Sequence, residues 1–569
     1  MPEYLSPGVY VEEFESGGRP MEGVGTSTAG FVGIAVKGPV GGIPQLVTNI
    51  ADFRRKYGGN LSENEFGDHR FLSYAIEHFF TNGGSRAFIS RVAPPDAKQA
   101  ESASAGPIKF TAANVGVWGD SLSVVITPAS KAKTQIKKLI TPKQIEVKNT
   151  AGFNVGDVVV LTDGEDKKYN RILKVQGRIL DLLADYDDSV VDEAAAPQKI
   201  LTTCEFNIDV FHDDVAENYS ELSFNINAPN YVLKKLSKSV LITAALEEIP
   251  EDATPPYVLI AGNEPDREVP FTFDGGSNGT AGTITADVFS GEDRGPGKRT
   301  GIQAFIDNSV VSILAVPGIV DPNVQIALVD HCELLQSRFA VLDIPRNISS
   351  TDEVLAHREM FDSTYAALYH PWLTVYDSLD KRNIAIPPSG SVIGIYARSD
   401  NERGVHKAPA NEVVRGCLGI DISYNKGEQD ILNPRGVNLI RSMPGQGIRV
   451  WGARTASSNS LWKYINVRRL FIFVEESIKA NTNWVVFEPN DTTLWSRVQR
   501  TIEVFLNGMW RNGALAGTSP DEAFYVQVGR TTMSQDDIDN GRLICEIGIA
   551  PVKPAEFVIF RITQRTVSE

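Results

Sequence analysis

The run Ala555-Glu556-Phe557-Val558-Ile559-Phe560-Arg561-Ile562 most constrains what this 569-residue chain can become. Phe557, Val558, Ile559, Phe560 and Ile562 place apolar side chains on both faces of an extended segment, so water penalises either face and the segment requires a partner. Chain ends fray unless they are tied down, which makes an apolar terminal strand a binding element. Beyond Phe560 the pattern alternates, with Ile562 apolar and Arg561, Thr563 and Arg565 polar, as in a strand leaving a buried sheet for a half-exposed position. At the other end, Pro7-Gly8 punctuates the start, and Val9-Tyr10-Val11-Glu12-Glu13-Phe14 reads as a short strand ahead of the loose Ser16-Gly17-Gly18-Arg19-Pro20. Two such strands on loose tethers fit either pairing within their own domain or donation to another subunit. Edges of this kind invite aggregation, so a chain that keeps them is expected to assemble.

At about 100–200 residues per domain, the length predicts roughly three or four domains. Hydrophobic residues at 42% and charged residues at 22% are ordinary globular values and oppose long disorder. Met1-Pro2-Glu3-Tyr4-Leu5 has neither a basic n-region nor an apolar h-region, and no apolar run reaches the ~18 residues of a membrane span, which predicts cytoplasmic synthesis without membrane insertion. Cys204, Cys332, Cys417 and Cys545 lie far apart, with no CxxC pair, and read as buried thiols. The net charge of −16 opposes nucleic acid as the main partner. That charge is uneven: residues 441–569 carry 15 Lys+Arg against 13 Asp+Glu, a balance of +2 that leaves −18 for residues 1–440.

Residues 24–95 read as a small α/β unit. Phe31-Val32-Gly33-Ile34-Ala35-Val36 is a strand, and Asp68 is placed to cap a helix whose apolar face is Phe71, Leu72, Ala75, Ile76, Phe79 and Phe80. Asn82-Gly83-Gly84 ends that helix, and Arg86-Ala87-Phe88-Ile89-Ser90-Arg91-Val92 follows as a strand. The Ala-, Ser- and Pro-rich stretch from Pro94 to Pro107 marks a boundary. Residues 96–255 read as an inserted β-rich domain, with strands at Leu122–Ile126 and Asp157–Leu161 and a hairpin turn at Asp163-Gly164. Insertions vary most freely on an exterior surface, so this domain is expected on the outside. Residues 256–432 return to α/β: a strand at Val310–Val316, a helix from Asn323 to Ser337 and a strand at Phe339–Ile344 form a βαβ signature with a parallel pair and right-handed crossover.

Two near-motifs raise catalysis and fail on context. Gly275-Gly276-Ser277-Asn278-Gly279 satisfies the GxSxG of a serine nucleophile elbow, but an elbow runs strand, tight turn, helix, whereas Thr280-Ala281-Gly282-Thr283 continues a glycine-rich loop. Gly291–Thr300 resembles a phosphate loop, with glycine spacing one residue too long and Arg299 where Ser or Thr should hold magnesium. His357 and His370 read as structural, and no histidine stands at metal-ligand spacing. An α/β serine hydrolase and a non-contractile shell protein are the alternative readings. The better candidate for functional contact is the helix beginning near Asp491. Leu494, Trp495, Val498, Ile502, Phe505, Leu506 and Met509 form its core stripe, and Arg497 and Arg500 are neighbours on its other face. Arg468 and Arg469 read as adjacent strand residues pointing opposite ways.

Three blocks, in order, resemble one family. They are Ile384–Arg398 with Arg403-Gly404-Val405-His406-Lys407-Ala408-Pro409-Ala410-Asn411; Asn433-Pro434-Arg435-Gly436-Val437-Asn438 leading to Trp451-Gly452-Ala453-Arg454-Thr455; and the apolar terminal strand. The chain resembles the contractile tail sheath family of myophage tails, R-type pyocins and extracellular contractile injection systems, over residues 1–95 and about 270–569. The resemblance implies a structural protein, not an enzyme, without cofactor or metal: a mixed α/β, multidomain fold with an inserted β-rich outer domain and extended terminal strands. It assigns residues 1–23 to an N-terminal arm, 24–95 and 256–432 to the sheath core, 433–554 to an inner domain facing a tube, and 555–569 to a linker strand. The implied partners are further copies in stacked six-subunit rings, an inner tube protein, a baseplate and a terminator or cap. Neither nucleic acid nor membrane insertion is implied. Assembly is expected in a bacterial cytoplasm, yielding a virion tail or an extracellular particle. Val9, Tyr10, Val11, Phe557, Val558, Ile559, Phe560 and Ile562 are the expected inter-subunit strands, and Arg497 and Arg500 the expected tube-facing residues.

Overall fold

The strands Ala29–Ile34, Ile313–Ala315, Phe339–Asp343 and Ala366–His370 are buried along their whole length. Near-continuous apolar sequence of this kind suits the centre of a parallel sheet covered on both faces. A computed structural model describes residues 21–104, 106–163, 166–186, 199–213, 215–262 and 268–559. Its central sheet has nine strands, in the order Gln45–Val47, Ala87–Val92, Ala29–Ile34, Ile313–Ala315, Phe339–Asp343, Ala366–His370, Val437–Met443, Gly447–Val450 and Glu412–Val413. The middle pairings are parallel, whereas the first strand and the last two join antiparallel.

One face of this sheet is covered by the helices Leu72–Thr81 and Ser389–Arg403, with Ile76, Phe79, Val392, Ile393 and Tyr396 in the core. Their close approach requires glycine. A Cβ on Gly390 would lie 2.4 Å from the Ala75 carbonyl oxygen, and one on Gly394 2.5 Å from that of Phe79. The opposite face is covered by Pro322–Leu335 and Thr351–Arg358 through Val324, Leu328 and Val354.

Two sheet-built units lie between Val92 and Ile313, the first with the short helices Val232–Leu236 and Pro256–Ala261 in its core. The first is a seven-stranded sheet, in the order Val215–Leu222, Glu205–His212, Ser123–Ala129, Val269–Asp274, Glu101–Ser102, Ile108–Ala112 and Ile242–Leu246. The second is a closed barrel of Asp166–Gln176, Ile179–Leu182, Gln144–Val147, Lys133–Thr141, Ile200–Thr203 and Val158–Asp163. Each has its own core, Phe110, Val124, Phe206 and Phe271 in the sheet and Ile145, Val159, Leu180 and Leu201 in the barrel. After the central sheet, the helices Ile465–Asn481 and Thr492–Arg511 and the two-stranded ribbon Phe524–Val528/Cys545–Ile549 share a further core.

Several local expectations are corrected. Asp68 does not cap the helix: it lies in the 3-10 turn Gly67–His69, and Arg70 and Phe71 keep right-handed angles up to Leu72, so no extended capping residue is needed. The strand expected at Val310–Val316 spans only Ile313–Ala315, because the Asn308 side chain accepts from the Val310 and Val311 N–H groups (3.0 and 3.3 Å) and diverts them from the ladder. Arg468 and Arg469 lie on the helix Ile465–Asn481, not on a strand, since Leu470 and Val474 make its core stripe. Asp163 and Asp166 are opposed across antiparallel strands, while Gly164 lies outside the described residues. Ser277 exchanges backbone hydrogen bonds with Lys98, in a loop followed by the short 3-10 helix Ala281–Thr283. His357 and His370 are buried, bonded to Gln325 and Tyr424 at 2.9 Å each, and burial pushes both down to about 4. Among the described residues no group of metal-ligating side chains is present and no helix is long and apolar enough to cross a membrane.

Asp343 joins the layers. At the end of its strand, its carboxylate accepts from the Gly318 N–H (3.0 Å), the Ser389 N–H (2.9 Å) and the Ser389 hydroxyl (2.7 Å), docking a loop and the start of the helix Ser389–Arg403. Burial wins over these bonds and pushes its pKa up to about 6. A folded-state pKa above the unfolded one means that the native state holds the proton longer, so this contribution is full below 3.8 and is lost as pH rises to about 6. The difference in unfolding free energy between wild type and Asp343→Asn, measured in urea, is therefore expected to change between those pH values and to be flat outside them. At neutral pH the variant is expected to be less stable by about 1–3 kcal/mol, since an amide N–H₂ then faces donors.

Candidate assembly interface

The terminal segment leaves the fold at a fixed root. Gly436 takes φ 84°, and a Cβ there would meet the Thr455 carbonyl oxygen at 2.6 Å, so the Asn433–Asn438 turn needs glycine at this position. Buried Asn438 then accepts from the Arg454 N–H (2.7 Å) and donates to the carbonyls of Arg454 (2.7 Å) and Leu368 (3.1 Å), so the turn presents Arg454 in one orientation. Arg454 grips Glu556 bidentately, Nε to Oε1 at 2.8 Å and Nη2 to Oε2 at 2.7 Å, and donates to the Pro434 carbonyl at 3.2 Å. Asn433 (2.8 Å) and the Tyr464 hydroxyl (2.9 Å) complete the clamp. Burial opposes ionisation of Glu556, but the bonds from Arg454, Asn433 and Tyr464 outweigh it and hold the carboxyl below its usual value.

Immediately after this clamp, Phe557, Val558 and Ile559 are 71, 68 and 79% exposed. These three residues pair with no strand among the described residues. Phe560 and Ile562 lie outside the described residues, as do Val9, Tyr10 and Val11.

The N-terminal side has a matching root. The Glu22 carbonyl accepts from Asn481 (2.9 Å) and the Val24 N–H donates to Ser477 (3.1 Å), while a Cβ on Gly23 would strike the Phe473 ring at 2.5 Å. Thr26 donates to Asp400 (2.7 Å), and its carbonyl accepts from Arg469 (3.0 Å). Arg469 and Asp400 form a buried pair at 2.6 Å, with the guanidinium over the Tyr396 ring. Tyr464 and Asn481 stand at opposite ends of the helix Ile465–Asn481. The Glu22 contact at Asn481 is therefore about 25 Å from Tyr464 along one helix axis, while the Thr26 contact at Arg469 lies near the Tyr464 end. Arg468 is buried between the Trp462 (3.6 Å) and Tyr365 (4.4 Å) rings, which removes it from any contact surface.

On the helix Thr492–Arg511, Asp491 caps the first turn by accepting from the Leu494 N–H at 2.8 Å, and Leu494, Trp495, Val498, Ile502, Leu506 and Met509 are buried, with Phe505 half-buried. Arg497 and Arg500 are both exposed; Arg497 lies over the Trp484 ring at 4.2 Å, and Arg500 lines a cleft with Val504, Arg511 and Tyr525 beside the strand Phe524–Val528. Glu503 accepts from Gln499 (2.8 Å). Sequence reasoning missed Glu556 and Asp400 as anchors. The available signal was a lone carboxylate at the head of an apolar run.

The phage tail sheath protein central domain matches residues 296–456, and the phage tail sheath C-terminal domain matches residues 457–565. The chain is 27% identical to a prophage major tail sheath protein of Pseudomonas aeruginosa (strain UCBPP-PA14), covering 47% of this chain and 69% of that one. It is 24% identical to the tail sheath protein of Escherichia phage P2, over 60% of this chain and 85% of the other. Among solved structures, the sheath complex of the extracellular contractile injection system PVC, in its contracted state, aligns over 99% of both chains with a TM-score of 0.53 at 21% identity, a likeness of fold. The sheath tail protein Lin1278 of Listeria innocua aligns over 94% of this chain and 96% of its own, with a TM-score of 0.52 at 11% identity. Both matched domains run without a gap through the Arg454 turn and the Glu556 root, and on these grounds the chain belongs to the phage tail sheath family.

Proposed function

We propose that the chain is the subunit of a contractile sheath, which polymerises helically around an inner tube and contracts to drive that tube through a target envelope. The observation that carries the reading is the exposed Phe557-Val558-Ile559 segment leaving a buried clamp: an apolar strand rooted rigidly in one subunit and unpaired within it. The ribbon Phe524–Val528/Cys545–Ile549 is the fitting acceptor. It has two strands, each with an unpaired outer edge among the described residues. A two-stranded ribbon is marginal alone, and strands from neighbouring subunits would extend it by main-chain hydrogen bonds. Residues 9–14 and 557–562 are the donors in this arrangement. Contraction then moves subunits as rigid bodies, while the donated strands keep neighbours connected. Free energy is stored at assembly, and firing requires no cofactor or nucleotide.

The further partners proposed are the tube protein, a baseplate and a terminal cap, with assembly in a bacterial cytoplasm. Residues 1–23 serve as one arm and 555–569 as the other, 24–95 with 256–432 as the core, 96–255 as the outer insertion and 433–554 as the inner domain. Arg497 and Arg500 are the proposed tube contacts, because polar contacts set register yet break in sequence during contraction.

Truncation after Pro554 is expected to abolish polymerisation and leave a folded monomer, scored by electron microscopy and circular dichroism; normal sheaths from that truncation would remove the strand-donation mechanism. Arg454→Ala leaves the Glu556 carboxylate without its main partner, at a local cost of about 2 kcal/mol. Faster hydrogen exchange at residues 552–557 and weakened polymerisation are expected, with the remaining core unchanged. Arg497→Glu combined with Arg500→Glu is expected to yield contracted, tube-free cylinders in place of extended particles. Extended particles in normal number would take both residues off the tube contact.

A further inference from the structure

The barrel is less acidic than the chain as a whole. Residues 131–186, which hold five of its six strands, carry 11 Lys+Arg against 7 Asp+Glu; taken on to Thr203, through Asp187, Asp188, Asp192 and Glu193, the segment carries 12 against 11, a balance of +1 in a chain of −16. Its orientation is fixed. Lys131 is buried between Asp157 (2.7 Å) and Glu205 (3.2 Å) of the adjoining seven-stranded sheet, and Asn225 donates to Asp157 at 2.7 Å. Lys131 is thereby used up in joining the two units.

The other lysines point outward. Registers across four strands place Gln135 opposite Ile200, Ile200 opposite Thr162, and Thr162 opposite Lys167, with Lys133 one outward position along from Gln135. Lys148 reaches the same row, its ammonium 3.4 Å from the Gln135 amide oxygen. Lys133, Lys148 and Lys167 are exposed around Ile200, itself 41% exposed, and among the residues whose side chains are described none of the three forms an ion pair with a carboxylate. The face offers a single aromatic ring, Tyr169, too little for stacking a run of bases. It suits carboxylates presented by a folded surface.

We infer that this barrel face docks onto an acidic surface of a second copy of this chain. The inference rests on the polymer reading above. Outside residues 131–203 the chain carries a balance of −17, so copies brought together repel unless a lysine-bearing face meets the neighbour's acids. Inside a polymer those acids are also the most concentrated anions within reach. An anionic glycan or lipid surface is the competing occupant.

The test mixes equal amounts of unlabelled and ¹⁵N-labelled full chain, polymerises them and applies a zero-length carbodiimide. Cross-links from Lys133, Lys148 or Lys167 to Asp or Glu of the differently labelled copy are expected in polymer and absent from monomer. The variant Lys133→Glu/Lys148→Glu/Lys167→Glu is expected to raise the concentration needed for polymerisation roughly tenfold at low salt, with the gap closing towards 1 M salt, where screening extends only about 3 Å. If that variant misfolds, the triple Lys→Gln variant gives the same reading with a smaller shift. Normal polymers without mixed cross-links and with unchanged concentration dependence overturn the barrel contact alone. Barrel-dependent capture by vesicles containing phosphatidylglycerol or by heparin, again without mixed cross-links, overturns it in favour of a polyanion. Wild-type chain that forms no polymer overturns the sheath reading itself.

Discussion

The pairing of Ala29–Ile34 with Ile313–Ala315, which sets Phe31 beside Ala315, is the constraint on which the rest of the molecule depends. It places an early strand at the centre of a sheet whose other central strands come from the second half of the chain. Everything between must leave and return at one place, and that place is stapled. Arg91 is buried and donates to the carbonyls of Ala35 (3.0 Å) and Val115 (2.9 Å) at the exit, while the Ser90 hydroxyl donates to the Gly301 carbonyl (2.9 Å) at the return. Loop-closure cost grows only with the logarithm of length, so an excursion of two sheet-built units weighs little more on the central sheet than a short one.

Buried guanidinium groups recur wherever segments distant in sequence are held together. Arg338 donates to the carbonyls of Phe305 (2.9 Å) and Asn308 (2.7 Å), and Arg358 to those of Phe361 and Ala456 (2.6 Å each). Where the segment held is the root of an arm, the acceptor is instead a carboxylate, Glu556 or Asp400. Guanidinium groups donate to neutral carbonyls at the loops, and at the two terminal segments to carboxylates, where the hydrogen bond is also an ion pair.

Much of the sheet was legible because buried parallel strands are nearly all apolar, as at Phe339–Asp343, and because a helix-length segment from Asn323 to Ser337 separates two of them. The stripe from Leu494 to Met509 was legible for the same reason. What escaped was set by single polar side chains acting at a distance. Asn308 shortens a strand by taking its N–H groups, and Arg468 lies on a helix, its burial resting on the Tyr365 ring 103 residues back as well as on Trp462 nearby. The clamp on Glu556 was invisible because Asn433, Arg454 and Tyr464 meet only once the strand Val437–Met443 has found its place in the sheet. The barrel was legible as short strands, but not as closed.

The helix Ile465–Asn481 touches both terminal segments: Asn481, Ser477 and Arg469 hold residues 22–26 along its length, and Tyr464, just before its first turn, bonds Glu556. Mechanically it is a tie rod. A pull on one segment and a counter-pull on the other divide between this helix and the path through Arg454 and Asn438 into the central-sheet strand Val437–Met443. The nine-stranded sheet therefore shares whatever pull the terminal segment carries, much as a hull takes part of the strain of its rigging.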